Sequence, residues 1–224
     1  TSAGRDGMRI VLDARHIRDY GYGTYIRNLV RALAGIDRDN SYVLVCLGEQ
    51  LGQFSNLPAN FTTATYWHDD KERIDHFAFP AFVRRLRPDL IHIPLNRVPW
   101  FLPRPYVVTV HDMSRQLLSG SGWRNQLSLY RARRGLMRAS RVIAVSDATR
   151  RNVENVLGVP RERLRRIFNA IDPDFVAHTT SADKRREILQ RYQVDYPYIL
   201  YAGKIQPQKN VPRLIEAFSV LRSH

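Results

Sequence analysis

The feature that most restricts the fold is an alternation that begins at Met8 and recurs down the chain: a short apolar run, a turn, then apolar residues at helical spacing. Ile10, Val11 and Leu12 form a continuous apolar run of the kind a strand buried on both faces requires. Beyond a turn containing Gly21 and Gly23, Ile26, Leu29, Val30 and Leu33 fall at i, i+3, i+4 and i+7, the stripe of a helix lying on a sheet. Gly35 suits its end. Further strands are expected at Tyr42–Leu47, Phe61–Tyr66, Asp89–Ile93, Tyr106–Val110, Arg141–Val145 and Leu164–Phe168. Helices are expected over Ile74–Leu86, closed by Pro88, and over Trp123–Ala139. Ser146 stands where an N-cap hydroxyl would open one more helix, which Gly158 and Pro160 end. Strands alternating with helices imply the α/β class: a doubly wound parallel sheet with helices on both faces, whose ligands bind beyond the carboxyl ends of the strands.

The segment Asp172–Tyr196 is polar and charged, with a short helical patch around Ile188 and Leu189, and reads as a linker. After it come an apolar run at Tyr198–Ala202, a Gly-, Pro- and Lys-containing turn at Gly203–Gln208, and a helical stripe of Leu214, Ala217, Phe218 and Leu221. One βα unit cannot bury its own apolar face. It is therefore expected to open a second domain rather than join the first sheet. The resulting division is residues 8–170, a linker over 171–196, and the start of a truncated further domain over 197–224. No apolar run approaches the roughly 20 residues needed to span a bilayer. Thr1–Gly7 lacks the apolar stretch of a secretory signal and reads as a flexible leader ahead of Met8. The single cysteine, Cys46, can form neither an internal disulfide nor a thiolate zinc site, which fits a reducing cytoplasm, and its place in a predicted strand marks it as inert packing.

Charge narrows the partners. There are 35 basic against 21 acidic residues, a net +14, and 31 of the basic residues are arginine. Such a field draws anions. The basic residues concentrate at Arg131–Arg141, Arg161–Arg166 and Lys184–Arg186. A solvated arginine surface and an anionic membrane or acceptor surface both fit. Nucleic acid fits less well, because few aromatics are interleaved to stack bases.

Local constellations suggest chemistry. Gly21-Tyr22-Gly23-Thr24, between strand and helix, could bring backbone N–H groups and the positive end of a helix to a phosphate, although it lacks both the third glycine of a dinucleotide fingerprint and the Gly-Lys-Ser/Thr ending of a P-loop. Lys204 and Lys209 are two of only four lysines and share one turn ahead of a helix whose N-cap would be Asn210. Paired ammonium groups there suit a diphosphate leaving group. His111-Asp112 directly follows a strand, so the imidazole reaches the crevice, where it can bond a sugar hydroxyl or act as an acid or base. His92 reads as a core or edge residue, and His68-Asp69-Asp70 as a solvated loop rather than a metal site. Ser146 has no Gly-x-Ser-x-Gly setting, so it is no hydrolase nucleophile.

Five segments in order resemble the family 4 retaining glycosyltransferases of the GT-B fold. They are Met8–Leu33 (MRIVLDARHIRDYGYGTYIRNLVRAL), Val110–Asp112 (VHD), the stretch from Val142 through Ser146 and its helix (VIAVSDATRRNVENVLGV), Phe168–Asp172 (FNAID) and Tyr201–Phe218 (YAGKIQPQKNVPRLIEAF). The resemblance implies a Rossmann-like acceptor domain followed by the first βα unit of a Rossmann-like donor domain. It also implies a nucleotide-sugar donor, a glycan or lipid-linked acceptor, and transfer with retention that needs no metal or other cofactor. By this likeness the backbone at Gly23, with Lys204 and Lys209, meets the donor diphosphate and His111 lies beside the transferred sugar. Gly21, Thr24, Asp112 and Ser146 then line the acceptor side of the cleft. The Gly-x-Gly-Thr-Tyr-x-Arg-Asn-Leu run is similar to mannosyl-, rhamnosyl- and related sugar transferases of polysaccharide biosynthesis, and the implied location is cytoplasmic, peripheral to the inner membrane face. Asn169-Ala170 departs from the family's Asn-Gly. The family's pair of donor-binding glutamates would lie beyond His224, so a chain of this extent is expected to be a fragment with little activity alone. The alternative, from another class, is a non-catalytic module that binds anionic lipid or acceptor.

Overall fold

In the computed structural model, residues 7–54, 56–70, 72–114, 117, 122–172, 175–176 and 180–222 are described. The leader reading, apart from Gly7, falls outside them, as do parts of the linker. The chain divides into two compact units, 1–172 and 173–224.

The first unit is built on a seven-stranded, wholly parallel sheet. Its strands are β1 (Arg9–Asp13), β2 (Ser41–Leu47), β3 (Phe61–Tyr66), β4 (Leu90–Ile93), β5 (Tyr106–Val110), β6 (Arg141–Ala144) and β7 (Leu164–Arg166), in the order β3-β2-β1-β4-β5-β6-β7. The helices are α1 (Tyr20–Ile36), α2 (Asp75–Arg85), α3 (Trp123–Arg138) and α4 (Asp147–Leu157). Strand order reverses direction between β1 and β4, and at such a switch point the connections leave opposite ways and open a crevice at the carboxyl edge.

The two-residue period of the strands divides the core. Leu12, Leu44 and Cys46 point to one face and pack with Ile26 and Val30 of α1. Val11, Val43 and Val45 point to the other, where Phe79 and Val83 of α2, Leu136 of α3 and Val153 of α4 cover them. Cys46 is buried and its thiol is pushed up to about 12, chiefly by burial, with Asp13 adding to it. It is packing, as the sequence suggested.

Local signals set the ends of α4. Ser146 accepts a bond from the Thr149 N–H at 3.0 Å, and Gly158 closes the helix at φ 65°, a left-handed conformation that favours glycine.

The second unit contains α5 (Ala182–Arg191) and α6 (Val211–Arg222). Two expectations need correction here. The patch around Ile188 is a full ten-residue helix, capped by the Ser181 hydroxyl on the Lys184 N–H. Tyr198–Ala202 is not a strand, and Tyr198, Ile199 and Leu200 are exposed. An apolar run becomes a strand only where a neighbouring strand completes its ladder, and none of the described residues of this unit provides one.

Candidate functional site

The carboxyl edge of the sheet around the switch between β1 and β4 gathers most of the polar side chains singled out above. His111 follows β5. Its Nε2 lies 3.1 Å from the Pro94 carbonyl oxygen, which can only accept, so Nε2 carries the proton and Nδ1 the lone pair. The rings of Tyr22 and Tyr25 on α1 meet it edge-on, with centroids 5.0 and 4.7 Å away. Burial lowers the affinity of His111 for a second proton, partly opposed by the Pro94 bond and by Asp112, which leaves the ring neutral at neutral pH.

Another bond holds the backbone of His111. The Thr149 hydroxyl donates to the His111 carbonyl at 3.1 Å and in turn receives the Ser146 hydroxyl at 3.0 Å. Ser146 therefore caps α4 and bonds the Thr149 hydroxyl that holds the His111 carbonyl. Below the ring, the Tyr25 and Thr109 hydroxyls are 3.1 Å apart, and Thr109 is 2.8 Å from His92 Nε2. His92 thus sits within the sheet, with burial and the neighbouring His111 pushing it down to about 4. Asp112 is exposed; its carboxylate accepts from the Ser114 N–H, and its carbonyl from Asn96 Nδ2.

The glycine reading is corrected. Gly21 and Gly23 do not form a turn between strand and helix; both lie in the first turn or so of α1. The Gly23 N–H already donates to the Asp19 carbonyl at 2.7 Å, and a Cβ on Gly23 would come within 2.1 Å of the Ile17 carbonyl oxygen. Glycine is required there for close backbone packing. Its amide has no bond left for a phosphate. At Gly21, by contrast, a Cβ would meet nothing within 4 Å, and helical geometry leaves the Gly21 and Tyr22 amides without i−4 partners. The Thr24 hydroxyl bonds back to the Tyr20 carbonyl and receives Arg27.

The residues that follow β1 were missed. Arg15 is buried: its Nε and Nη2 each lie 2.8 Å from the Asp13 carboxylate, its Nη1 is 2.9 Å from Asp75, and its guanidinium lies 3.9 Å over the Phe79 ring. Burial alone would favour a neutral Arg15, but Asp13 and Asp75 outweigh it and hold the proton more firmly than in a free arginine. His16 bridges Asp19 at 2.8 Å and Asp70 at 3.2 Å, and Asp70 pairs with Arg97 at 3.2 Å. Burial opposes a charge on His16, yet the bonds to Asp70 and Asp19 raise it to about 9. The solvated-loop reading of Asp70 is therefore corrected: its side chain is 7% exposed and knits three crest loops together. His68 pairs instead with Glu72 at 3.0 Å. The signal that could have found this network was the position of Arg15-His16, immediately beyond the carboxyl end of the first strand.

Within the second unit, Lys209 closes a short 3₁₀ turn, Pro207–Lys209, ahead of α6, and the Lys204 carbonyl accepts the Tyr201 hydroxyl at 3.0 Å. Asn210 precedes α6 in a left-handed conformation at φ 51°, where an ordinary N-cap is extended. Among the described residues no group of three or more His, Cys, Asp or Glu side chains could hold a metal, and no helix is long and apolar enough to cross a membrane.

Residues 20–175 match the sequence profile of Glycosyltransferase Family 4. The serotype-specific mannosyltransferase WbdA of Escherichia coli is 26% identical over 140 residues, covering 58% of this chain and 16% of the relative. The chain therefore spans about one sixth of the length of the curated relatives it matches. In fold it is similar to a glycosyltransferase from Rickettsia africae ESF-5, at TM-score 0.65 and 14% identity over 98% of this chain and 59% of that one. It is also similar to the lipopolysaccharide outer core galactosyltransferase WaaB, at TM-score 0.50 and 12% identity over 93% of this chain and 71% of that one. Both likenesses agree with a GT-B type, Rossmann-like sheet.

Proposed function

This chain belongs to glycosyltransferase family 4, and from that premise we propose that it supplies the acceptor-binding part of a retaining, metal-independent hexosyltransferase. The donor is a nucleotide sugar and the acceptor a glycan or lipid-linked glycan at the cytoplasmic side of a membrane. Mannose or a related hexose is the transferred unit, a choice supported by the naming of the Escherichia coli relatives as mannosyltransferases. One observation carries the reading: a neutral His111, directly beyond the carboxyl end of β5 with Nε2–H held by Pro94, turns its remaining nitrogen into an acceptor for a sugar hydroxyl.

The chemistry assigns roles around that ring. The bond from anomeric carbon to phosphate oxygen breaks while the acceptor oxygen attacks from the same face, and the acceptor proton passes to the departing phosphate oxygen. Configuration is kept and no protein base is consumed. Negative charge grows on the leaving diphosphate, so fixed cations and amide dipoles aimed there lower the barrier. Lys204 and Lys209 are assigned to that charge, and Asp112 to the acceptor.

Transfer of labelled hexose by full-length protein tests the reading. Lys204→Ala and Lys209→Ala are each expected to lower kcat about 100-fold. Wild-type rates in both would remove the diphosphate role, and a wild-type rate in His111→Ala would remove the imidazole from the mechanism.

A further inference from the structure

Strands β2 and β3 stay paired as far as Leu47 and Tyr66, so Gly48 and Trp67 are the first residues past the ladder at the carboxyl edge. Trp67 is 78% exposed. The indole is nonetheless seated: a Cβ on Gly48 would stand 3.3 Å from its Cζ3 and 3.9 Å from its Cη2. Among the described residues Gly158 is the glycine with a positive φ, so no backbone conformation requires glycine at position 48. The space of the missing side chain is taken by the edge of the ring.

The segment carrying the ring is tied down on both sides. The Tyr66 hydroxyl donates to Asp75 at 2.9 Å, buried Arg15 donates to the His68 carbonyl at 3.4 Å, and Glu72 accepts the Asp69 N–H at 3.0 Å. A ring fixed at one edge and open to water elsewhere loses little freedom when a flat ligand lands on it. Polar groups stand next in the chain: Glu49 pairs with Arg18 at 3.6 Å, and His68 with Glu72 at 3.0 Å, at the surface. A pyranose has the complementary character. Its C–H face suits the negative face of an aromatic ring, and its rim of hydroxyls suits carboxylates and an imidazole.

We propose that Trp67, seated on Gly48, is a remote subsite for a glycan acceptor, stacking on a pyranose unit several residues along the glycan from the reacting hydroxyl. In the sheet, β3 lies four strand spacings from β5, which sets the ring about 19 Å from His111 at the usual separation of strands. A single hexose cannot reach both. Contact with a non-reacting part of the substrate therefore selects acceptors by length. Glu49 and Glu72 disfavour a phosphate-bearing occupant. The assignment rests on the reading of the acceptor as a glycan, but binding at Trp67 needs neither donor nor His111 and is measured apart from transfer.

The test is titration of the 224-residue chain with mannobiose and with mannohexaose, followed by saturation-transfer NMR, mannose being the unit assigned to the growing glycan. Mannohexaose is expected to bind at least about tenfold more tightly than mannobiose, and Trp67→Ala to remove that advantage while leaving mannobiose binding and the melting temperature unchanged. Trp67→Phe, which keeps a ring, should retain mannohexaose affinity within about threefold of the parent. Gly48→Val, which fills the seat, should weaken mannohexaose about fivefold with Trp67 still present. Absence of mannohexaose binding overturns the proposal, as does full affinity in Trp67→Ala or an equal loss for both sugars. In the full-length enzyme, Trp67→Ala should raise KM for long acceptors and leave kcat alone. Transfer that keeps its preference for long acceptors in Trp67→Ala would sink the subsite and leave the transferase reading standing.

Discussion

Thr149 donates its hydroxyl proton to the carbonyl of His111 across 3.1 Å, so the first turn of α4 holds in place the residue on which the proposed chemistry turns. Thr149→Val keeps the volume and removes the bond. Transfer should fall with little change in donor KM, because the imidazole is displaced rather than deleted, and the melting temperature should drop modestly. Ser146→Ala removes the cap itself, at a cost of about 1 kcal/mol by denaturant unfolding. Unchanged stability in Ser146→Ala would contradict the assigned cap.

The two glycines of α1 should respond in opposite ways. Gly23→Ala drives a methyl into the Ile17 carbonyl and is expected to cost about 1–3 kcal/mol. Gly21→Ala meets open space in a helical position and should be neutral or stabilising by about 0.5–1 kcal/mol. Thermal unfolding of the pair decides it; equal losses would refute the close approach at Gly23.

Arg15→Met leaves two buried carboxylates, Asp13 and Asp75, facing each other without a cation. Loss of one partner from such a buried network costs about 3–5 kcal/mol. Chemical denaturation reads this directly, and a loss below about 1 kcal/mol would mean the network contributes little.

The His16 pair sets an alkaline limit. Its protonation in the folded state is raised to about 9, above the ordinary 6.5, so its stabilisation is complete below about pH 6.5 and is lost as pH rises through about 9. The native protein should therefore lose stability between neutral pH and pH 9 more steeply than His16→Gln. Parallel curves for the two proteins would remove His16 as the cause.

His111 acts on the acid side. Burial disfavours its protonation, so transfer should be flat from neutral pH upward and decline at acid pH as the ring charges and Nδ1 ceases to accept. In His111→Asn, which cannot titrate, that acid limb should vanish from the pH profile of residual activity.

The sequence by itself determined the elements whose signals are local. The limits of β3 and β5, the serine cap of α4 and its left-handed glycine end are legible because short strand-forming runs and capping residues act within a few positions. The same locality put His111 at the carboxyl edge of a strand. Tertiary structure decided what depends on partners remote in the chain. Asp70 and His16 lie 54 positions apart, and Tyr25 and Thr109 lie 84 apart, so only the folded sheet brings each pair together. Whether Gly23 marks a turn or a packed helix, and whether Tyr198–Ala202 pairs as a strand, depends on which backbone lies alongside. A sequence window contains no such information, because an apolar run is satisfied by a neighbour and not by its own composition.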